Sequence, residues 1–418
     1  MRSTIERGAI GRKKERLPSL AWRGQAGIVR RPFRYAHSNF QGELEIMGTS
    51  THGRKRPLVG AIRWDAWYGE LANADNLPDP KQRPGYRSQL GELGPNPGWE
   101  AQVSLAPETW QYRWPFFTTF GADGTTPQFD GNRPEVLAQE ISHARHAGLD
   151  YWAFDAYPED CPLSYTLKTF LETPERERID FCLFLVMGSA YGSLAEDDEF
   201  QEYVLRLVAE PNYLKLPGNR PVFYLGFLND RLMELLVDGR WRRFCDRILA
   251  MGLGEPYVVV CHGNPPAAKR YCDQLHGEAL SHYNVHGNAQ AGSFAELAAR
   301  NVQFWEDCAA TGAAVAPICT MGWDRRTRAM NPVSWESFHT QPGAMEQYYE
   351  SGTPEELAAH VGQGVSWFEE HPGNEGEELV LIYAWNEIDE GGWLVPALPP
   401  PQGQGTARID ALRRVLVG

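Results

Sequence analysis

Residues 379–394, LVLIYAWNEIDEGGWL, are the stretch on which the reading of this chain turns. The first part, through Trp385, is an unbroken apolar run rich in β-branched and aromatic residues, the pattern of a fully buried strand. The run then breaks into Asn386-Glu387-Ile388-Asp389-Glu390-Gly391-Gly392-Trp393. Strand positions an odd number apart face opposite sides. Glu387 and Glu390 therefore share one pocket only if the chain turns after Glu387, and Gly391 and Gly392 supply the backbone freedom for that turn. The bland alternative is a solvated acidic loop.

Outward from this stretch, short apolar runs alternate with helical patterns. Strands are expected at 58–62, 150–154, 181–187, 221–226, 257–261, 279–283, 314–319 and 379–385. Helices are expected at 164–172, 200–210, 231–251, 267–275, 293–311, 353–370 and 407–416. Another begins at Asn132-Arg133-Pro134-Glu135, a capping residue with an early Pro and a Glu, and Gly148 stops it. Ser293 with Glu296 and Thr353 with Glu356 read as capping boxes. Eight strands, each followed by a helix, give an α/β fold: a single-domain parallel (β/α)8 TIM barrel spanning 57–418. A doubly wound open sheet is the alternative, but no strand is followed by G-x-G-x-x-G or a P-loop. The first βα connection, Pro/Gly/Trp-rich and running to Asn132, is far longer than usual, and such loops are usually functional.

The chain has 418 residues, 42% of them hydrophobic and 22% charged, the balance of a soluble globular enzyme. A net charge of −14 argues against nucleic acid or an anionic membrane as partner. No apolar run nears the ~20 residues of a membrane span. Residues 1–46 carry ten Lys/Arg against four Asp/Glu, with neither periodicity nor an apolar signal-peptide core. The segment 1–56 is therefore expected to be a disordered basic extension, or translation to begin at Met47. Seven scattered cysteines without a C-x-x-C point to reduced, buried thiols and a cytoplasmic setting.

In such a barrel the active site gathers at the C-terminal ends of the strands. The residues just beyond them are Trp64, Asp65, Trp67 and Tyr68 after the first, Asp155 and Tyr157 after the second, and Ser189 and Tyr191 after the third. His262 and Asn264 follow the fifth, His282, Tyr283 and Asn284 the sixth, and Trp323, Asp324 and Arg325 the seventh. The eighth delivers Asn386, Glu387, Asp389 and Glu390, with Trp393 beyond. Hydroxyl partners and flat aromatic faces at nearly every strand end are what an oligosaccharide or polysaccharide cleft requires, and paired carboxylates supply acid and base. A large aromatic core is the structural alternative. His282 and His286 have zinc-like spacing but lie on a strand end rather than a helix, so neither metal nor cofactor is expected. His143 and His146 read as solvated helix residues. No serine sits in a G-x-S-x-G elbow.

Ala384-Trp385-Asn386-Glu387 with Glu390-Gly391 resembles the Asn-Glu-x-x-Glu-Gly motif of glycoside hydrolase family 99 and its family 99-like relatives, among them WbsX-type glycosyltransferases. Tyr213-Leu214-Lys215 followed by Arg220-Pro221-Val222-Phe223-Tyr224-Leu225 is similar to a segment before the fourth strand in that group. The resemblance spans Leu58 to the C-terminus and implies a barrel that hydrolyses an α-glycoside, a mannoside in the founding family, with retention. It implies that Glu387 takes the proton of the substrate 2-OH, whose oxygen attacks C1 to give a 1,2-anhydro sugar. Glu390 would then be the general acid/base, and a conventional double displacement is the other retaining route. Ile388-Asp389 departs from the family pattern, removing an aromatic platform and adding a charge. A three-residue offset across a tight turn fits the ~5–5.5 Å carboxylate spacing of retaining enzymes better than the ~6.5–9.5 Å of inverting ones. The competing readings are a WbsX-type transferase, which needs a diphosphate site, and a non-catalytic sugar-binding barrel, which needs no carboxylate pair.

Overall fold

The computed structural model describes residues 56–69, 97–189, 193–287, 289–374 and 376–418. The expected basic extension before Arg56, the middle of the first connection and Tyr191 lie outside the described residues.

The barrel is built from β1 Leu58–Arg63, β2 Tyr151–Ala156, β3 Asp180–Val186, β4 Arg220–Gly226, β5 Tyr257–Cys261, β6 Ala279–Ser281, β7 and β8 Leu379–Tyr383. All neighbours pair in parallel, with β1 between β2 and β8. Strand β7 comes in two pieces, and its break explains the closure. Ala314–Val315 pairs with β6, whereas Ile318–Thr320 pairs with β8. Pro317 between them has no N–H to give to a ladder. Its carbonyl still accepts from Leu381, at 2.9 Å, while the Ala316 amide reaches Leu280 at 2.9 Å. One interrupted strand thus joins both edges of the sheet and closes a (β/α)8 barrel. The alternation of apolar runs had shown eight strands because parallel strands covered by helices are apolar on both faces.

Helices α1 Pro97–Leu105, α2 Pro134–Ala147, α3 Tyr165–Glu172 and α4 Asp198–Val208 are followed by α5 Asp230–Leu235, α6 Trp241–Ala250 and α7 Pro265–Leu275. The rest are α8 Phe294–Ala309, the short α9 Arg326–Met330, α10 Pro354–Glu370 and α11 Ala407–Leu416. Both expected capping boxes form, at Ser293 and at Thr353. Two helix expectations need correction. Helix 231–251 is broken where Asp238 and Gly239 leave helical geometry, Gly239 at φ 83°. The start of α2 is capped by Arg133 without a side-chain bond, because Asn132 instead accepts from the Thr169 hydroxyl at 2.6 Å. His146 is not simply solvated but lies 2.8 Å from Asp410 of α11, and His143 packs edge-on against Phe116.

The first connection carries structure of its own: α1, a 3-10 turn Glu108–Arg113, and a ribbon pairing Thr118–Phe120 with Pro127–Phe129. Its Ser104 reaches Asp389 beyond β8 and its Arg113 donates to the Asp324 carbonyl beyond β7, so this insertion roofs the strand ends rather than hanging free. All seven cysteines are free and buried. Among the described residues no helix is long and apolar enough to cross a membrane.

Candidate active site

Beyond Tyr383 the chain runs into the turn that the sequence demands. The Trp385 amide donates to Ile62 of β1 at 2.7 Å, and the Trp385 carbonyl accepts from both Leu394 and Val395. Asn386–Glu387 pairs antiparallel with Gly392–Trp393, so Ile388, Asp389, Glu390 and Gly391 form a tight hairpin tip. Gly391 sits at φ 88° and donates to the Ile388 carbonyl at 3.2 Å. A methyl group there would stand 2.7 Å from the Asp324 amide nitrogen, and one on Gly392 only 2.4 Å from the Tyr383 ring. The two glycines are therefore required by turn and packing alike.

Each carboxylate of the pair has its own tyrosine. The Tyr283 phenol meets Glu387, and the Tyr383 phenol donates to Glu390. The two rings pack edge to face, 5.4 Å between centroids. Tyr283 also lies 2.8 Å from Asp155. One phenolic proton faces both carboxylates, an arrangement that favours a further proton on the Asp155–Glu387 pair. Burial pushes Asp155 well above the ordinary carboxyl range, and its Oδ1 is buried without a partner. Burial likewise raises Glu387, with Glu390 adding to the rise and Arg328 opposing it.

Arg328 is the hub of the other half. From α9 it gives Nε to Asp389 at 2.7 Å and Nη1 to Glu390, with Glu336 at 3.7 Å. Its guanidinium lies 5.6 Å from the Trp64 ring and 5.4 Å from Trp335. Asp389 is fully buried, and burial raises its carboxyl although Arg328 pulls the other way. The charge that Ile388-Asp389 adds to the motif is thus neutralised inside the protein by Arg328.

The other expected residues fall into two groups. Trp64 gives its indole N–H to the Tyr157 hydroxyl at 3.2 Å, and burial with the nearby Asp155 raises that phenol. Asn284 is buried, and both its amide nitrogen and oxygen lack a partner. Trp323 stacks on His286 at 4.2 Å, and its ring lies 6.2 Å from Tyr383. Trp64, Tyr157, Trp323 and His286 stand with Asp155, Tyr283 and Asp389 beside the pair, and Asn284 follows Tyr283 directly in the chain.

The second group props the site up. Asn386 accepts from the Trp64 amide at 2.8 Å and donates to Asp65 at 3.0 Å, while its carbonyl takes the Trp67 indole N–H at 2.8 Å. Asp65, pushed up to about 6 by burial against the pull of Arg63, completes this brace between β1 and β8. Trp67 and Trp393 keep only 2% of their surface, and Arg408 covers Trp393 at 3.5 Å. A ring without a free face cannot stack on a ligand, so the platform expectation is corrected at both. Tyr68 accepts from Gly98 at 3.1 Å and anchors α1. Asp324 is paired with Arg113 and Arg326, and these cations hold it below the usual range despite burial; its amide donates to the Glu390 carbonyl at 2.6 Å. Arg325 pairs with Glu336 at 2.8 Å. His262 binds the Asn264 amide and packs on Tyr271, toward the outside.

Sequence reasoning missed Arg328 and Tyr383. Tyr383 lies inside the apolar run and reads as core. Arg328 is hidden in a basic stretch, and only the surplus of acids in the motif hinted that a buried cation was needed. Among the described residues no cluster of His, Cys, Asp or Glu is arranged for a metal ion. A cavity of about 1200 Å³ lies at the opposite end of the barrel, lined by strand starts such as Leu58, Arg220, Tyr257 and Glu278, and shares none of these site residues.

No family model and no curated relative matches the sequence. The fold is that of a (β/α)8 barrel, similar to a solved "Glycoside hydrolase-like protein" at 14% identity and TM-score 0.51, over 90% of this chain and 97% of that one. A family 99 endo-α-mannosidase from Bacteroides thetaiotaomicron is 13% identical over 86% of this chain and 95% of its own, with a TM-score of 0.48.

Proposed function

We propose that this chain is a retaining glycoside hydrolase acting on an α-linked, mannoside-like glycan in the cytoplasm, without metal or cofactor. The observation that carries the reading is the pair Glu387 and Glu390 on one tight hairpin at the barrel mouth, each carboxylate held by a separate tyrosine. Positioned proton transfer of this kind contributes about 10²–10⁴-fold to a rate. In the route that the motif implies, Glu387 removes the 2-OH proton while that oxygen displaces the leaving group at C1, and Glu390 protonates the departing oxygen. Water, deprotonated by Glu390, then opens the anhydro sugar as Glu387 returns its proton, and the configuration at C1 is retained. Asn284, with its donor and acceptor both unmet, suits a sugar hydroxyl, because buried polar groups require partners.

A second assignment of the same pair is favoured by Arg328. A group that must arrive as an acid gains nothing from a guanidinium bonded to it, whereas burial raises the proton affinity of Glu387. In that version Glu387 is the acid and Glu390 the nucleophile of a conventional double displacement. Glu→Gln variants assayed on a natural glycoside and on one with an activated leaving group separate the two. The variant at the acid position loses about 10²–10⁴-fold on the natural substrate and is partly spared on the activated one. The other variant is inactive on both. Wild-type rates in both variants would put the reacting groups elsewhere in the chain, and a nucleotide-sugar requirement would replace the hydrolase reading with a transferase.

A further inference from the structure

Phe227 stands directly after β4 with 49% of its surface exposed, although it is a large apolar side chain at the mouth of the barrel. Its backbone lies in the left-handed region at φ 59°. A bulky residue with a Cβ avoids that region, whereas glycine takes it freely. Core packing does not account for the ring's presence there, since about half of it faces solvent. The ring nevertheless has a fixed place. It lies 5.3 Å from the Tyr283 ring, tilted at 55°, and 6.4 Å from Phe184. Tyr283 is the residue that meets Glu387. Next along the chain, Leu228 is buried, and the Asn229 side chain caps α5 by accepting from Leu232 at 3.0 Å. The chain is thus anchored on both sides of an exposed aromatic one side chain away from the reacting carboxylate.

We infer that Phe227 is the stacking platform of a sugar subsite on the β4 side of the cleft, receiving the apolar C–H face of a pyranose next to the one attacked. This rests on the glycosidase reading and adds to it which wall of the cleft binds the glycan. An aromatic face held rigidly gains contact area at little entropic cost, and Tyr283 and Phe184 fix the ring from two sides. Phe184 itself stacks flat against Tyr224 at 6.1 Å, so the support continues into the barrel core. The rings continue from Phe227 through Tyr283 and Tyr383 to Trp323, which stacks on His286, so Phe227 is the solvent-facing end of an aromatic row that passes the two tyrosines holding the carboxylates.

The test compares Phe227→Gly and Phe227→Tyr in a Glu390→Gln background, by calorimetric titration with α-linked manno- and gluco-oligosaccharides of two to four residues and with the methyl glycosides. The Gly change removes the ring but relieves the backbone. The melting temperature should therefore hold or rise while the oligosaccharide Kd weakens roughly tenfold, about 1.4 kcal/mol. The methyl glycosides, filling only the attacked position, should bind both proteins equally, and the Tyr change should keep parental affinity. A Gly variant that binds oligosaccharides as the parent does would overturn the inference alone. So would a fall of several degrees in its melting temperature with affinity intact, because the ring would then be core. If the parent binds none of these sugars, the glycosidase reading fails and this inference falls with it.

Discussion

Asp155, Glu387, Asp389 and Glu390 face one another with Arg328 as the buried cation among them, and most of what the site can do follows from that shortage of positive charge. Asp155 is the member faced by Asp65, Tyr157, Cys261, Tyr283, Glu387 and Glu390, none of them a cation. Its folded pKa lies above its unfolded one. Protonated Asp155 therefore contributes stability that is full below the unfolded value and is lost as pH rises through the folded value. Asp155→Asn keeps the shape and removes the titration. The melting temperature of the variant minus that of the wild type should become more positive as pH rises from the acid range to neutrality and above. A flat difference across that range would mean that the folded pKa of Asp155 is not raised. Arg328→Met should be costly, about 3–5 kcal/mol, because it leaves Asp389 and Glu390 without their cation. Adding Asp389→Asn should recover part of the loss, since one of the two stranded charges is then gone; a double variant no more stable than Arg328→Met would exclude that pairing. Glu387, Asp389 and Glu390 were legible in the sequence as a local motif, and Asp155 as a residue just beyond the second strand. Arg328 was not, because it comes from a different βα connection and only the closed barrel brings it to the acids.

At the level of the element, the hairpin after β8 behaves as one unit. Its strands are braced by Asn386 toward β1 and its tip rests on the Asp324 amide, so the position of both carboxylates depends on backbone contacts that admit no extra atoms. Gly392→Ala would press on Tyr383 and move the phenol that holds Glu390. Its kcat should fall at least tenfold while KM changes little, with the melting temperature measured alongside; unchanged kcat would mean that Tyr383 only fills space. The same logic reverses the expectation for Trp67 and Trp393. Both are sealed, one bonded to the Asn386 carbonyl and the other stacked under Arg408, so replacement by Ala should destabilise by about 3–5 kcal/mol. Urea unfolding would show this, and an unaltered midpoint with raised KM would restore them as ligand platforms. The turn itself was readable because glutamates at an odd spacing can share a pocket only across a turn, for which the two glycines supply the freedom. Which tryptophans face the cleft was not readable, since an aromatic beyond a strand end looks the same in sequence whether it lines the mouth or supports it.

Across the whole molecule, the alternation of apolar runs yielded the barrel because each parallel strand is buried on both faces, whereas the roof that the first connection forms over the hairpin depends on contacts distant in sequence. Strand β1 is paired on one side with β2 and on the other with β8, so the barrel is complete from Leu58 onward. At the other end, α11 buries Ile409, Leu412 and Leu416 against the barrel and makes its principal contacts with α2 and α10. It also reaches back to the start of the described chain, where Arg56 donates to the Leu416 carbonyl at 3.0 Å, and to the site, where Arg408 donates to the Trp393 carbonyl at 2.8 Å. Three large apolar side chains at about 1.5–3 kcal/mol each amount to roughly 5–9 kcal/mol, comparable with the ~5–15 kcal/mol that holds a whole domain folded. Removing residues 407–418 should therefore abolish cooperative thermal unfolding and activity together. Removing residues 1–46 should leave the melting temperature within about a degree and the activity intact, because that segment shows no apolar periodicity with which to bury a face. Thermal melts of the two truncations against the full chain decide the matter. A fall of several degrees on losing residues 1–46 would show that the basic segment covers part of the barrel, and a C-terminal truncation that still melts cooperatively would show that the hairpin stands without its brace.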